Sequence, residues 1–225
     1  MISIIIPVLN EEKTILETLT NIQTLQGAKE IIVVDGGSKD RTVEIAKENA
    51  VSVIHSSQGR AKQMNAGAMA ANGTILWFVH SDSKLDHNSI NAIEEAIEQG
   101  YIGGCFQLYF YDWETRFMKY VADASNRRAK YLQLIFGDQG IFMRKEIFEK
   151  LDGYKNMELM EDWDLSRRIH KLGKMKLLNE KIGTSARRFK KDGQLKTLLK
   201  MHKIKLLYIL GAPVDKLSRM YREVR

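Results

Sequence analysis

The stretch TILWFVHSDSKL, at residues 74–85, is the most informative part of the sequence. Its first half is a continuous apolar run, which is typical of a strand buried on both faces of a parallel sheet. The run stops abruptly at His80, Ser81, Asp82 and Ser83. In open α/β sheets, ligands bind at the carboxyl ends of the strands. The stretch therefore predicts a ligand-binding edge, although Asp82 alone would equally well open a turn before the next helix.

Three earlier segments repeat this pattern of an apolar strand followed by a helix. The predicted strands are ISIIIPV, KEIIVVD and VSVIHS, and helical periodicity predicts helices at 10–23, 43–50, 60–71 and 86–99. We expect Asn10 to cap the first of these helices, and Asp86 or Ser89 to cap the fourth. The alternation predicts a Rossmann-like α/β fold, with a mostly parallel sheet and helices on both faces.

The second half of the chain is less regular. We predict a strand at 101–111, helices at 112–130 and 160–174, and a loop, short strand and helix across 137–154. A basic helix, a Gly-Ala-Pro break and a second helix follow. We therefore predict one domain over residues 1–190 and a basic helical tail over 191–225.

Composition sets broad limits on the class of protein. The 225 residues include 35 Lys and Arg against 28 Asp and Glu, a formal net charge of +7. That excess suits an anionic partner, but it is as typical of a charged, soluble surface. The single cysteine, Cys105, excludes an internal disulfide and indicates a core residue in a reducing compartment. With no signal-peptide pattern and no apolar run of roughly 20 residues, we expect a soluble, cytoplasmic protein.

The polar residues that end the predicted strands should meet at one crevice. Asp35, followed by Gly36 and Gly37, can accept hydrogen bonds from a ribose hydroxyl or a base, or it can simply cap a turn. Asp82 is a suitable oxygen ligand for Mg²⁺ or Mn²⁺ bound together with substrate phosphates. His80 is a second candidate, either for the ribose or for a Mn²⁺ ion.

An acidic cluster, MEDWDLSRR, starts the helix predicted at residue 160. Acids at a helix start complement its dipole, which accounts for some of them. An Asp beside a Glu in a cleft is also a candidate general base, because like charge and burial raise one pKa. The basic run SARRFKK is either a solvated face or a phosphate site at Arg187 or Arg188. Dinucleotide-binding, P-loop and nucleotidyltransferase glycine motifs are absent from the sequence.

Five motifs, in order, resemble those of the family-2 glycosyltransferases of GT-A fold. They are IIIPVLNEE, IIVVDGGSKDRT, GRAKQMNAGA, LWFVHSDSKL and MEDWDL, and the resemblance extends to about residue 189. The fuller pattern, with GDQGIFMR, TSARRF and the tail, is similar to a bacterial subgroup known as arsenosugar-biosynthesis or selenodomain-associated glycosyltransferases. The resemblance divides the domain into a nucleotide-binding half, 1–100, and an acceptor half, 101–190.

The resemblance implies an inverting enzyme that takes a sugar from a nucleotide-diphosphate donor, commonly a UDP-sugar. The family's metal motif, Asp-any-Asp, reads His80-Ser81-Asp82 here, so Asp82 and His80 are the implied ligands of a divalent metal, Mn²⁺ or Mg²⁺. The residues implied to bind the nucleotide are Pro7, Asn10, Glu11, Asp35, Gly37, Arg60, Lys62, His80, Ser81 and Asp82.

The resemblance also assigns the acceptor half. Asp162, in the Glu161-Asp162 pair, matches the catalytic base that deprotonates the acceptor hydroxyl. The implied acceptor-side residues are Asp138, Gln139, Trp163, Arg187 and Arg188. Where processive members carry Gln-x-x-Arg-Trp, only Arg188 is retained, which favours transfer of a single sugar to a small-molecule or lipid-linked acceptor.

The tail and two rival functions leave alternatives open. Leu198, Met201, Leu206 and Ile209 would pack on the domain or on a second subunit; alternatively, Lys196, Lys200, Lys203 and Lys205 would contact anionic lipid at the inner membrane face. A nucleotide-sugar-binding protein without turnover is one rival function. A nucleic-acid-binding module is disfavoured, because Lys and Arg are not interleaved with aromatic residues on one element.

Overall fold

An eight-stranded sheet forms the centre of the computed structural model, which describes residues 1–49 and 51–222. The strands are β1 (Ile2–Val8), β2 (Lys29–Asp35), β3 (Ser52–His55), β4 (Ile75–Phe78), β5 (Lys84–Leu85), β6 (Gly103–Phe110), β7 (Phe142–Arg144) and β8 (Met175–Thr184). Their order across the sheet is β3-β2-β1-β4-β7-β6-β8-β5.

Ten helices connect and cover these strands within the described residues. They are α1 (Ile15–Thr24), α2 (Thr42–Glu48), α3 (Arg60–Ala70), α4 (Ser89–Glu98), α5 (Arg116–Leu132), α6 (Lys145–Lys150), α7 (Glu161–His170), α8 (Arg187–Asp192), α9 (Gln194–Ile209) and α10 (Val214–Arg222). A short 3-10 turn, Gly137–Gln139, precedes β7. The helix predicted at 43–50 reaches Ala50, which lies outside the described residues.

The first half of the sheet confirms the predicted parallel arrangement. β1 pairs in parallel with β2 and β4, and β2 pairs in parallel with β3. The strands are apolar on both sides because each side faces a helix-covered core: Ile4 and Ile6 join one hydrophobic cluster, while Ile5 joins the other. The carboxyl ends of β1, β2, β3 and β4 therefore lie along one edge.

The second half of the sheet is mixed, and it contains a strand that the sequence pattern did not predict. β7 is antiparallel to both β4 and β6, whereas β8 runs parallel to β6 and antiparallel to β5. Strand β8 escaped prediction because its alternation is interrupted. The register with β6 shifts between Cys105 and Gln107, whose partners are Leu177 and Lys181, so a bulge separates two short in-register runs.

Both predicted helix caps are wrong, for different local reasons. The first helix begins at Ile15 with Thr14 as N-cap, because Asn10 adopts a left-handed backbone conformation (φ 55°). The Asn10 side chain instead accepts a hydrogen bond from the Lys39 N–H at 2.8 Å. The N-cap of α4 is Asn88, whose N–H is bound at 3.0 Å by the Asp86 carboxylate.

The tail helices pack against the second half of the domain. Ile204 of α9 and Leu217 of α10 are buried in a cluster with Met160 and Trp163. Gly193, with φ 86°, separates α8 from α9, so the boundary predicted at 190 lies inside α8. Residues 223–225 of the predicted tail lie outside the described residues. No helix in the described part of the chain is long and apolar enough to cross a bilayer.

Of the four apolar residues predicted to pack on the domain or on a second subunit, two pack on the domain. Leu198 and Met201 pack against the main hydrophobic cluster, as expected. Leu206 and Ile209 are 57% and 64% exposed, because the domain does not cover their part of α9. The helix therefore has apolar side chains that the domain leaves uncovered.

Candidate active site

The carboxylate of Asp35 lies at the end of β2 and is fully engaged by neighbouring groups. It accepts hydrogen bonds from the N–H groups of Gly37 and Ser38, each at 3.0 Å, and lies 3.3 Å from Nδ1 of His55. Burial alone would raise the pKa of Asp35, but the bonds from Ser38, Gly37 and His55 outweigh it and lower the pKa. Gly37 makes this turn with φ 97°. Asp35 is therefore a charged, rigid acceptor group.

The loop after β1 is fastened to the loop after β2. The N–H of Asn10 donates to Ser38 Oγ at 2.9 Å, and the N–H of Glu11 donates to Thr42 Oγ1 at 2.8 Å. From α3, the buried amide of Gln63 donates to the carbonyls of Val8 and Val34, both at 2.8 Å. The contact of Gln63 with two strand ends could not be predicted, because nothing local marks a glutamine for that contact. Pro7 is half-buried in the last part of β1.

The carboxylates of Asp82 and Glu11 both lie near the guanidinium of Arg187. The carboxylate of Asp82 lies 3.4 Å from Nη2 of Arg187, and that of Glu11 lies 3.7 Å from the same nitrogen. The turn that carries Asp82 is held by α1, where Thr18 Oγ1 donates to the Ser81 carbonyl at 2.7 Å. Two strand ends and α8 thus converge on one charged point, as the sequence predicted for the strand ends.

The start of α3 adds two basic side chains to this edge. Arg60 and Lys62, both exposed to solvent, follow Gly59, which has φ 136°. Desolvation opposes the charge on Arg60, but the negative field of Glu161, followed by those of Asp162 and Asp82, raises the pKa of its guanidinium. Arg60 therefore lies in the field of both acidic centres, one on the β4 side and one on α7.

Asp162 lies in the first turn of α7, where its carboxylate is held by backbone donors. The N–H of Gly137 donates to Oδ2 at 2.5 Å, and the N–H of Trp163 donates to Oδ1 at 3.1 Å. Below it, Ser166 Oγ donates to the Asp162 carbonyl at 2.7 Å. The N-terminal end of the helix adds a favourable partial positive charge. The residue is 8% exposed, so the carboxylate is fixed in direction and still reachable.

Glu161 differs from its neighbour because nothing comparable compensates its burial. It is 4% exposed. Burial, followed by the charge of Asp162, raises its pKa to about 7, against the opposing field of Arg60. Near neutral pH, the pair therefore carries less than its full formal charge of two.

The side chains of His80 and Asp162 both lie beside Gly137. A Cβ added to Gly137 would lie 2.9 Å from Nε2 of His80 and 3.1 Å from Oδ2 of Asp162. Burial lowers the pKa of His80 well below its usual value, and the charges of Arg60, Arg187 and Arg188 lower it further. The imidazole is therefore neutral, and its buried Nε2 has no hydrogen-bond partner among the described residues.

Among the residues predicted on the acceptor side, Trp163 and Asp138 are candidates for contact with a ligand, whereas Gln139 supports the loop. Trp163 packs at a tilt against Phe136, with ring centroids 5.4 Å apart. The Oδ1 of Asp138 is buried without a hydrogen-bond partner in the described part of the chain. Burial raises the pKa of Asp138. Gln139 is fully buried, and its Oε1 accepts a bond from Arg128 at 2.8 Å, so its position favours support of the loop over contact with a ligand.

Arg188 is held by the tail. Its guanidinium stacks on the ring of Tyr221, 4.2 Å from the centroid, and donates a hydrogen bond to the Tyr221 hydroxyl. Arg187, one residue earlier, points instead to Asp82 and Glu11. Sequence reasoning missed Tyr221, because a tyrosine in an amphipathic helix carries no signal of a contact 33 residues earlier.

The donor set suits a metal ion held jointly with a ligand. Across residues 1–49 and 51–222, no three His, Cys, Asp or Glu side chains gather closely enough to hold an ion by themselves. Asp82 and Glu11 nevertheless present two carboxylates to one cationic group. Mg²⁺ is typically bound by one or two carboxylates together with substrate phosphates, and such an arrangement fits here.

Known proteins are similar to this chain in sequence and in fold. A model of the family described as "Glycosyl transferase family 2" matches residues 3–152, which is more than half of the chain. Among curated proteins, a probable glycosyltransferase of Bacillus subtilis, YdaM, is 25% identical over 198 residues, 76% of this chain and 47% of its own. A glucosyl-3-phosphoglycerate synthase of Petrotoga mobilis is 32% identical over 45% of this chain and 37% of its own. The chain spans less than half the length of these relatives.

Solved structures with the same fold include two proteins with bound ligands. A mannosyltransferase of Pyrobaculum calidifontis, solved with GDP-Man and Mn²⁺, has a TM-score of 0.67 and 17% identity over 99% of this chain and 68% of its own. Residues 1–349 of S. aureus TarS, solved with UDP-GlcNAc, have a TM-score of 0.59 and 18% identity over 82% of this chain and 56% of their own. These similarities confirm the predicted GT-A fold. The narrower bacterial subgroup stays a prediction. On the match to its family model, the chain belongs to glycosyl transferase family 2.

Proposed function

We propose that the protein transfers a single sugar from a nucleotide-diphosphate donor, a UDP-sugar, to an acceptor hydroxyl, with inversion at the anomeric carbon. One observation carries the proposal. Asp82, whose carboxylate pairs with Arg187, follows His80 closely in the chain. Nε2 of His80 and Oδ2 of Asp162 both lie beside Gly137, 2.9 Å and 3.1 Å from the position that an added Cβ would take. A site for a diphosphate and a candidate base therefore border one crevice.

The donor would lie along the edge formed by the strand ends. Asp35 supplies a fixed carboxylate for the ribose or the base, beside Pro7, Asn10 and Gly37. Arg60 and Lys62 supply positive charge for phosphate oxygens or uracil at the start of α3.

Asp82 would hold the divalent ion, with Glu11 and Ser81 beside it. When bound, an Mn²⁺ or Mg²⁺ ion would neutralise charge on the leaving diphosphate. Arg187 already lies within 3.4 Å of Asp82, so a positive charge is favourable at this position. His80, also predicted as a ligand, has its Nε2 against Gly137, which supports a role in separating the two carboxylates more than one in metal binding.

In the transfer step, Asp162 would accept the proton of the acceptor hydroxyl. The acceptor oxygen then forms a bond to the anomeric carbon as the bond from that carbon to the diphosphate oxygen breaks on the opposite face. Both oxygens of Asp162 are oriented by backbone N–H groups, so no rearrangement is needed to aim the carboxylate. Glu161 would tune the charge of the pair, and Arg187 and Arg188 would stabilise the departing nucleoside diphosphate.

The acceptor, a small molecule or a lipid-linked alcohol, would be bound by the second half of the domain. Trp163 and Asp138 border Asp162 there, with Gln139 supporting the turn from below. The domain would thus divide at about residue 100 into donor and acceptor halves, with the tail beyond residue 190 closing the acceptor side.

One observation favours the rival function of a binding protein without turnover. His80 occupies the place where the family motif has its first carboxylate, and its imidazole is neutral. A neutral group there would weaken metal binding in comparison with a second carboxylate.

The test is turnover with UDP-glucose, UDP-N-acetylglucosamine, UDP-galactose and GDP-mannose, each with Mn²⁺ and with water as the default acceptor. We expect slow release of UDP from at least one donor. Proton NMR should show the released sugar first with the anomeric configuration opposite to that of the donor. Binding of donors without any release would favour the rival function, and retention of configuration would contradict inversion.

A further inference from the structure

Helix α9 carries an apolar stripe on its outer face. Five side chains are between 57% and 72% exposed: Leu195, Leu199, Leu206, Ile209 and Leu210. At 3.6 residues per turn, these positions, of which Leu210 is the C-cap residue, fall within a strip about 100° wide that also contains the exposed His202. The opposite side, with Thr197 and Ile204, is buried against the domain. We call these five residues the stripe. They lie away from the side of the helix that packs on the domain.

The charges along α9 are all of one sign. Lys196 and Lys203 are exposed on one flank of the stripe, and Lys200 lies beyond them, partly exposed. The helix sequence, QLKTLLKMHKIKLLYI, contains no acidic residue. Lys205, the fourth lysine, lies 4.9 Å over the Phe136 ring, where burial lowers its pKa to about 8. It faces inward and does not belong to this surface.

From these observations we infer that the stripe binds the surface of an anionic phospholipid bilayer. A helix with an apolar face and flanking lysines lies in the membrane interface, with its apolar side chains below the headgroups. A second copy of the chain would be a poorer partner. A two-fold contact through the stripe would bring the lysines of the two copies close together, with no acidic residue of α9 to offset them.

The C-terminal end of α9 borders a cavity beside the candidate active site. Leu134 lines this cavity of about 480 Å³ together with Ile209 and Trp163. Shortly before Leu134 in the chain, Tyr131 and Leu132 are 71% and 59% exposed. The stripe therefore adjoins the residue that follows Asp162 in the chain. If the proposed function holds, a bilayer-bound enzyme would present this side to a lipid-linked acceptor.

The experiment is co-sedimentation of the full-length protein with two kinds of vesicle: phosphatidylcholine alone, and phosphatidylcholine mixed with phosphatidylglycerol. We expect binding to the anionic vesicles, weakened by added salt. The double variant Leu199→Gln/Leu206→Gln should reduce the partition coefficient roughly tenfold or more. Lys196→Glu/Lys203→Glu should cause a similar loss on anionic vesicles.

Matched controls use the same chemistry on other surfaces. Leu16→Gln/Met69→Gln changes two apolar residues of comparable exposure on α1 and α3, and Lys47→Glu/Lys119→Glu changes two exposed lysines elsewhere. Neither control should alter binding. No binding by the folded protein, or equal losses in the variants and the controls, would overturn the inference. A dimer in solution that Leu199→Gln/Leu206→Gln dissociates would also overturn it, because the stripe would then be a subunit interface. Vesicle binding requires no sugar transfer, so this result is independent of the proposed function.

Discussion

The proposed donor edge, around Asp35, and the proposed reaction centre, around Glu161 and Asp162, differ in how their charges are compensated. At the donor edge, Asp35 accepts bonds from two backbone N–H groups and approaches a histidine, and its pKa is lowered. At the reaction centre, burial raises the pKa of Glu161 to about 7, and the Nε2 of His80 has no partner within the described residues. The first region is built around charge that stays fixed, and the second around charge that can change.

This difference is what binding and proton transfer require. A preformed set of satisfied polar groups binds a ligand without reorganisation, whereas a group that exchanges protons needs a pKa near the working pH. Asp162 belongs to the second region, where two N–H groups orient its carboxylate beside Glu161. The comparison makes the reaction centre the place where single substitutions should have the largest effect on turnover.

The largest effect should follow Asp162→Asn. The amide cannot accept the acceptor proton, so we expect transfer to fall by roughly a thousandfold, while donor affinity stays near the wild-type value. Single-turnover kinetics and donor titration separate the two quantities. Asp164→Asn is the matched control on the same helix, because that carboxylate pairs with Arg168 at 2.7 Å and Lys155 at 3.1 Å. Wild-type turnover in Asp162→Asn would remove Asp162 as the base.

A smaller effect should follow Gly137→Ala, and it sharpens the contrast with Gly37. The added Cβ would meet Nε2 of His80 and Oδ2 of Asp162, so we expect kcat to fall by roughly ten- to a hundredfold with little change in donor KM. At Gly37 a Cβ meets nothing within 4 Å, but φ is 97°. Gly37→Ala should therefore raise donor KM and lower stability by about 1 kcal/mol. Equal effects of the two variants on kcat would contradict the distinction between a region for donor binding and a region for proton transfer.

The smallest effect concerns stability as a function of pH. Because the pKa of Glu161 is about 7 in the folded protein and 4.5 as the reference value, the folded state binds more protons between these pH values. The free energy of unfolding should therefore decrease as pH rises from about 4.5 to 7. Glu161→Gln should flatten this dependence and stabilise the protein above pH 7 by up to about 3 kcal/mol. Urea unfolding at several pH values measures this dependence. If its slope were unchanged in Glu161→Gln, the titrating charge would belong to another residue.

Much of the donor edge could be predicted because its signals are local. Four apolar strands that each end in polar residues define the edge, and Asp35 and Asp82 lie at it as expected. Where local signals compete, prediction failed. Asn10 has the chemistry of a helix cap, but the loop contact with Lys39 uses its side chain instead. Strand β8 was missed because its bulge interrupts the alternation.

The acceptor side depends on contacts between distant segments, and no local pattern encodes them. Gly137 and Asp162 are 25 residues apart, and their contact becomes visible only when α7 and the 3-10 turn are placed together. The same holds for Tyr221 and Arg188. On α9, the apolar residues that pack on the domain could not be told from those that stay exposed, because both kinds look alike in the sequence until the domain covers one side of the helix.

The most direct test of the account is calorimetric titration of the wild-type protein and Asp82→Ala with UDP, each with and without Mn²⁺, with GDP and CDP as comparison ligands. We predict that the wild type binds UDP more tightly than GDP or CDP, that Mn²⁺ strengthens this binding at least tenfold, and that Asp82→Ala loses the Mn²⁺-dependent part. Equal UDP affinity in both proteins with Mn²⁺ would show that Asp82 does not hold a metal-bound diphosphate, and would contradict the account at its centre.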